Sequence, residues 1–150
     1  MRSLTTTFLA LLVPLVNSAA LPSTVELFAY DSTNTQLGCI NGYGNFTRNQ
    51  IWCYPFRVFP VTTGSSDANV QGYAKCTVAA GVLDCSSGGI PLGVFTETGA
   101  DLAVKVMTTS STSFSIKSFP AASDNVGVPL IVGSGGTYKQ LKLQVKSVSG

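Results

Sequence analysis

An all-β fold, a single-domain β-sandwich or small barrel stapled by two disulfides, is what this chain predicts, and three observations predict it. No stretch holds helical periodicity for ten residues or more, so amphipathic helices are not expected. Short runs rich in β-branched and aromatic residues instead recur between clusters of Gly, Pro, Ser and Asn. Four cysteines, Cys39, Cys53, Cys76 and Cys85, fall among those runs.

The chain opens on Met1-Arg2-Ser3, an apolar run over residues 8–16, and small residues at Ser18 and Ala20. A charged start, a short apolar middle and a small-residue end are the parts of a secretory leader, so residues 1–20 read as a signal peptide cleaved before Leu21. The run is shorter than the ~20 apolar residues a bilayer crossing needs, and Pro14 interrupts it. Near the other end, residues 141–146 alternate Leu or Val with Lys and Gln, which is no hydrophobic lipid-anchor signal. Residues 21–150 are thus expected to be one secreted, extracellular domain with no membrane anchor, long enough to bury a core.

The expected strands, in order, are 25–30, 37–40, 45–47, 51–61, 71–79, 82–86, 92–97, 102–107, 113–119, 130–132 and 141–148. Residues 108–112 and 133–136 read as exposed loops. An exported chain with an even cysteine count forms disulfides, and four cysteines allow three connectivities. The segment 76–85 is nearly palindromic in hydrophobicity about Ala80-Gly81. A two-residue turn there sets Cys76 opposite Cys85 on a non-hydrogen-bonded pair, where Cβ atoms approach most closely. A three-residue turn would leave them diagonal. Cys39 would then bridge Cys53 across residues 41–45. Metal binding by these cysteines is not expected, because tight Cys-x-x-Cys spacing is absent.

Composition narrows the chemistry. The chain has no histidine, which removes Ser-His-Asp and Cys-His catalysis, His-based ribonuclease chemistry and most zinc or copper sites. Removing Arg2 with the leader leaves eight basic against seven acidic residues, a net charge of +1 with no charge run. Neither nucleic acid nor a membrane surface is an expected partner, and no cofactor is implied. Carboxylates are the remaining acid-base groups, with Glu97 and Asp101 the closest approach to a glycosidase pair, although both fall at an expected hairpin turn.

The segment 51–59 concentrates the candidates for recognition. With period two, Trp52, Tyr54 and Phe56 share one face, an aromatic stripe that would stack on sugars if open and form core if closed. Tyr43 and Tyr73 are the next aromatic candidates. Lys139, Lys142 and Lys146 make a sparse basic stripe near the C-terminus, read as edge protection. Asn45-Phe46-Thr47 is the only Asn-x-Ser/Thr sequon, which makes Asn45 an expected N-glycosylation site in a loop.

The runs Leu37-Gly38-Cys39-Ile40, Gly44-Asn45-Phe46-Thr47, Cys53-Tyr54-Pro55-Phe56 and Lys75-Cys76-Thr77-Val78, with Gly81 and Cys85-Ser86-Ser87-Gly88, carry a resemblance. Over about residues 37–95 the chain resembles the four-cysteine accessory domain at the C-terminal end of some secreted fungal T2-family ribonucleases, which is also found alone in small fungal secreted proteins. In that pattern Gly38-Cys39, Phe46, Phe56 and the Cys76/Cys85 pair are structural positions. The ribonuclease domain, with its paired histidine motifs, has no counterpart here, so the resemblance implies a binding or accessory role and no catalysis.

The expected function is accordingly a non-enzymatic secreted interaction protein, effector- or elicitor-like, monomeric, with a host protein or a cell-wall polysaccharide as partner. A wall-associated carbohydrate-binding or structural module is the first alternative, and it requires Trp52 and Tyr54 to be exposed and coplanar. A carboxylate-only glycoside hydrolase is the second.

Overall fold

The structure, a computed structural model, describes residues 19–149. The expected leader lies outside them except for Ala19 and Ala20. The described residues form an all-β domain of antiparallel strands with one 3-10 turn and no α-helix. In chain order the strands are Thr24–Tyr30 (β1), Gln36–Ile40 (β2), Asn45–Thr47 (β3), Phe56–Pro60 (β4), Ala68–Gln71 (β5), Thr77–Ala79 (β6) and Val82–Asp84 (β7). They continue with Val94–Thr98 (β8), Asp101–Val106 (β9), Thr109–Ser111 (β10), Phe114–Ile116 (β11), Val128–Pro129 (β12), Ile131–Val132 (β13) and Lys139–Ser147 (β14).

Hydrogen bonding links the strands into one sheet that runs from β10 through β9, β8, β5, β4, β1, β14, β11, β13 and β7 to β6, with β2, β3 and β12 branching from β1. The path is open, so the sheet is not a closed barrel. The nine-residue β14 makes the sheet continuous: residues 142–147 pair with β1 and residues 139–141 with β11. Alternation sets the core face. Val25, Leu27 and Ala29 of β1 and Leu141 and Leu143 of β14 are buried, while their neighbours along each strand point outward. Phe46, Phe56, Phe95 and Phe114 fill the interior, and both Cys76 and Cys85 are fully buried among them.

The two disulfides pair as the hairpin argument required, Cys39 with Cys53 and Cys76 with Cys85. The β6–β7 ladder pairs Ala79 with Val82, Val78 with Leu83 and Thr77 with Asp84. Ala80 and Gly81 both take positive φ, 50° and 76°, as a two-residue I′ turn demands. The register carries on to Cys76 and Cys85, whose Cα atoms lie 4.0 Å apart.

Three expectations about strands are corrected, and two short strands go beyond them. Residues 51–61 are not one strand, because the Asn49 side chain accepts from Ile51 N (3.4 Å) and caps a 3-10 turn, Gln50–Trp52, so that extended pairing starts only at Phe56. Residues 71–79 break at 72–76, where Gly72 N donates to Ala74 O (3.0 Å) and Gln71 bridges Lys75 antiparallel, so the chain reverses at Gly72-Tyr73-Ala74. The expected loop 108–112 contains β10, which folds back on β9 through a two-residue turn at Met107-Thr108. Ala68–Gln71, paired with β4, and Val128–Pro129, beside β3, are strands outside the expected ones.

Candidate functional site

The β2–β3 connection, Asn41 to Gly44, is the base of the most concentrated aromatic surface. Asn41 is buried with both ends of its amide bonded: Oδ1 accepts from Tyr43 N and Asn45 N (3.1 Å each), and Nδ2 donates to Val126 O (2.9 Å). This side chain makes the turn and anchors the 121–127 segment to it, a placement that favours Asn over other residues because both halves of its amide can bond locally. Two long-range backbone bonds then lock the turn in place, Tyr73 N to Gly42 O (3.0 Å) and Cys85 N to Tyr43 O (2.9 Å).

Three tyrosines gather on this base. Ring centroids are 4.7 Å apart for Tyr43 and Tyr73 and 5.1 Å for Tyr73 and Tyr54, and Tyr54 leans edge-on against Phe56 at 5.5 Å. Gly42 makes room for them, since a Cβ there would sit 2.7 Å from the Tyr73 ring and 2.8 Å from the Tyr54 ring. Gly72 packs still closer, with its Cβ position 2.3 Å from Gly42 O. Tyr43 and Tyr73 remain about half exposed, at 48% and 51%.

Trp52 and Tyr43 both line a groove. The Trp52 Nε1 donates to Asn125 Oδ1 (3.2 Å), which fixes the ring on the 3-10 turn beside the 121–127 segment, and Trp52 is 37% exposed. The groove has a volume of about 530 Å³. Ala79, Val82 and Pro129 give it an apolar wall, and Asn45, Asp84 and Asn125 bring polar groups to it. A smaller concavity of about 230 Å³ is lined by Tyr54 and Tyr73 with Arg57 and Gln71.

The aromatic stripe read from the sequence does not exist as a stripe. Trp52 leaves on the 3-10 turn, Tyr54 is half-buried in the tyrosine cluster, and Phe56 is core. Period-two reasoning failed here because the Asn49 cap and Pro55, which has no N–H, keep residues 50–55 out of the sheet. Tyr43 and Tyr73, the secondary candidates, prove to be the exposed members of the cluster. Asn45 opens β3 rather than lying in a loop, and its Nδ2 donates to Val126 O (3.1 Å). Asn41 and Asn125 were not singled out from the sequence. Asn41-Gly42 is a turn signal and could have been read as one, whereas nothing local marks Asn125 as the partner of Trp52.

Asp84 is the one carboxylate on the groove wall. Its Oδ2 accepts from Ser87 Oγ, and its Oδ1 accepts from Ser86 N (2.8 Å), Ser86 Oγ (2.7 Å) and Ser87 N (3.3 Å). These bonds, that from the Ser87 hydroxyl first, lower its pKa to about 2. It is ionised throughout the physiological range and is an acceptor, not a proton donor. Glu97 and Asp101 do not face each other: Thr98 pairs with Asp101 and Glu97 with Leu102, so alternation puts the two carboxylates on opposite faces of the β8–β9 hairpin. Asp101 accepts from Gln144 Nε2 (3.1 Å) on the neighbouring β14. Along β14, Lys142 and Lys146 share the outward face, and Lys139 lies on the other, so the basic stripe is two residues long; Lys146 covers the Phe28 ring at 5.5 Å.

Among the described residues no group of three or more His, Cys, Asp or Glu side chains is placed to hold a metal ion, and no helix is long and apolar enough to cross a membrane. The chain matches no family model, no curated protein and no solved structure.

Proposed function

We propose that this is a non-enzymatic secreted interaction protein, effector- or elicitor-like, which meets its partner through the aromatic rim formed by Trp52, Tyr43, Tyr73 and the edge of Tyr54. The observation that carries the reading is the rim itself: large rings left exposed, yet held in place by Gly42, by the Trp52–Asn125 bond and by long-range backbone bonds. Rigid, amphipathic rings of this kind supply contact area at small entropic cost, which is why Tyr and Trp dominate binding hot spots. Two disulfides suit an extracellular setting. The ionised Asp84 and the divergent Glu97 and Asp101 lend nothing to a hydrolase reading.

The ring geometry favours a shaped partner over a flat polymer. Neighbouring tyrosine rings are tilted by 59° and 60°, and Tyr54 is half-buried, so no coplanar platform is offered to a sheet of polysaccharide. A protein surface is the partner this relief fits best. The test is binding of the purified protein to intact cells of candidate hosts, with and without prior protease treatment of those cells, and to insoluble chitin, β-glucan and cellulose. Protease-sensitive cell binding that falls at least about tenfold in Trp52→Ala and Tyr73→Ala is expected, the loss typical of hot-spot aromatics. Binding confined to a polysaccharide moves the protein to the carbohydrate-module reading, and binding untouched by both substitutions refutes the rim.

A further inference from the structure

We propose that the 530 Å³ groove between Trp52 and the β6–β7 hairpin is the seat of an N-linked glycan carried by Asn45, so that the groove is filled by the protein's own sugar while Tyr73 and Tyr54 stay open. The groove shares Trp52 and Tyr43 with the rim of the binding reading, whereas Tyr73 and Tyr54 lie outside it.

The sequon Asn45-Phe46-Thr47 is half hidden after folding. Phe46 and Thr47 have no exposed surface, so a transferase that must read the threonine hydroxyl can act only on the unfolded, entering chain. In that step one Nδ2–H proton is lost and an Nδ2–C1 bond forms. The bond from C1 to the pyrophosphate of a lipid-linked oligosaccharide donor breaks, and the pyrophosphate leaves with the electron pair. Once the chain folds, the attached sugar must be accommodated wherever Asn45 points.

Asn45 borders the groove. Its Nδ2 donates to Val126 O (3.1 Å), a bond that one remaining N–H can keep making, and the second substituent position on the same nitrogen is the one a sugar would take. The chemistry of the walls suits the first sugars of a glycan. Trp52, Val82 and Pro129 present apolar surface for the C–H faces of the rings. Asn125 and the ionised Asp84 offer amide and carboxylate groups for hydroxyl and acetamide partners. The volume lies within the ~300–1,000 Å³ range of pockets that enclose small ligands. A sequon, an apolar wall and convergent polar groups thus meet in one concavity.

Trp52 is the only tryptophan in the chain, so its fluorescence reports on the groove directly. The full chain is secreted from a eukaryotic host and, separately, exported to a bacterial periplasm, where disulfides form without N-glycosylation; Asn45→Gln from the eukaryotic host serves as a second sugar-free form. Peptide mass mapping is expected to find Asn45 occupied in the eukaryotic product. Acrylamide quenching of Trp52 is expected to fall about twofold in that product, since a seated sugar covers most of a ring that is 37% exposed without it. The protection should survive enzymatic trimming to the first sugar. An unoccupied Asn45 overturns the proposal outright. Occupancy with unchanged quenching, or protection that vanishes on trimming, overturns the seat; neither result touches Tyr73→Ala, whose ring lies outside the groove.

Discussion

The two disulfide-closed loops are of similar length but hold different things. Cys39–Cys53 spans 14 residues and ties β2 to the irregular segment that presents Trp52; Cys76–Cys85 spans 9 and closes a hairpin that already has a three-pair ladder. Loop-closure entropy alone ranks the longer loop ahead by only about 0.4 kcal/mol. Packing ranks them the other way, because Cys76 and Cys85 both lie in the core, whereas Cys53 is only half-buried. One crosslink therefore belongs to the interior and the other to the site.

The largest expected effect separates these roles. Removing either bridge as a paired Cys→Ala change should cost about 2–5 kcal/mol, with Cys76→Ala/Cys85→Ala the more damaging by denaturant unfolding. Trp52 emission and quenching should shift in Cys39→Ala/Cys53→Ala and stay near native in the hairpin pair. If the longer loop proves the costlier to open, chain entropy and not core packing decides, and the contrast fails.

Next in size is the glycine base of the rim. Gly72→Ala drives a Cβ to within 2.3 Å of Gly42 O, a backbone atom fixed by its bond from Tyr73 N, and should cost about 1–3 kcal/mol. Gly42→Ala meets ring atoms instead, 2.7 Å from Tyr73, and those half-exposed rings can swing away. It should cost less stability than Gly72→Ala and more binding. Gly89→Ala, whose Cβ would find only Thr77 atoms at 3.8 and 3.9 Å, is the neutral control. Thermal melts and the cell-binding assay on the three variants check the ranking.

These two regions also differ in how far the sequence reveals them. The hairpin is local: Ala80-Gly81 sets the turn, the turn sets the register, and the register delivers Cys76 to Cys85, all within ten residues. The β1 and β14 alternation and the β8–β9 hairpin were readable for the same reason. The rim is assembled from three separate turns joined by the bonds of Tyr73 to Gly42 and of Cys85 to Tyr43, and no period in the chain encodes those meetings. Reading residues 51–61 as one strand followed their β-rich composition; it missed a cap three atoms long, the Asn49 amide, that redirects Trp52 toward Asn125.

A smaller effect tests the Asp84 wall of the groove. The folded pKa of Asp84, about 2, lies below its ordinary value of 3.8, so its bonds to Ser87 and Ser86 stabilise the fold fully above about pH 4 and are lost as pH falls toward 2. Partial exposure limits this to on the order of 1 kcal/mol. Asp31, lowered chiefly by the Thr33 hydroxyl, adds to the loss in the same direction. Melting temperatures from pH 5 to 2 should drop less steeply in Asp84→Asn than in the native protein. Parallel curves would mean that the Ser86 and Ser87 bonds do not distinguish the charged form.

The smallest effect acts on the hairpin alone. Ala80 holds φ at 50°, a region where its Cβ crowds the following carbonyl at a cost of roughly 1–2 kcal/mol, and Asn tolerates that region through local hydrogen bonding. Ala80→Asn places Asn-Gly at a two-residue I′ turn and should stabilise the protein by about 0.5–1 kcal/mol. Ala80→Gly should gain less, because glycine loses more freedom on folding. The relief belongs to the native turn, so the gain from Ala80→Asn should be the same in the native background and in Cys76→Ala/Cys85→Ala, read as shifts in denaturation midpoint. A gain seen only without the disulfide would mean that the crosslink, and not the turn, holds the register that sets Cys76 opposite Cys85.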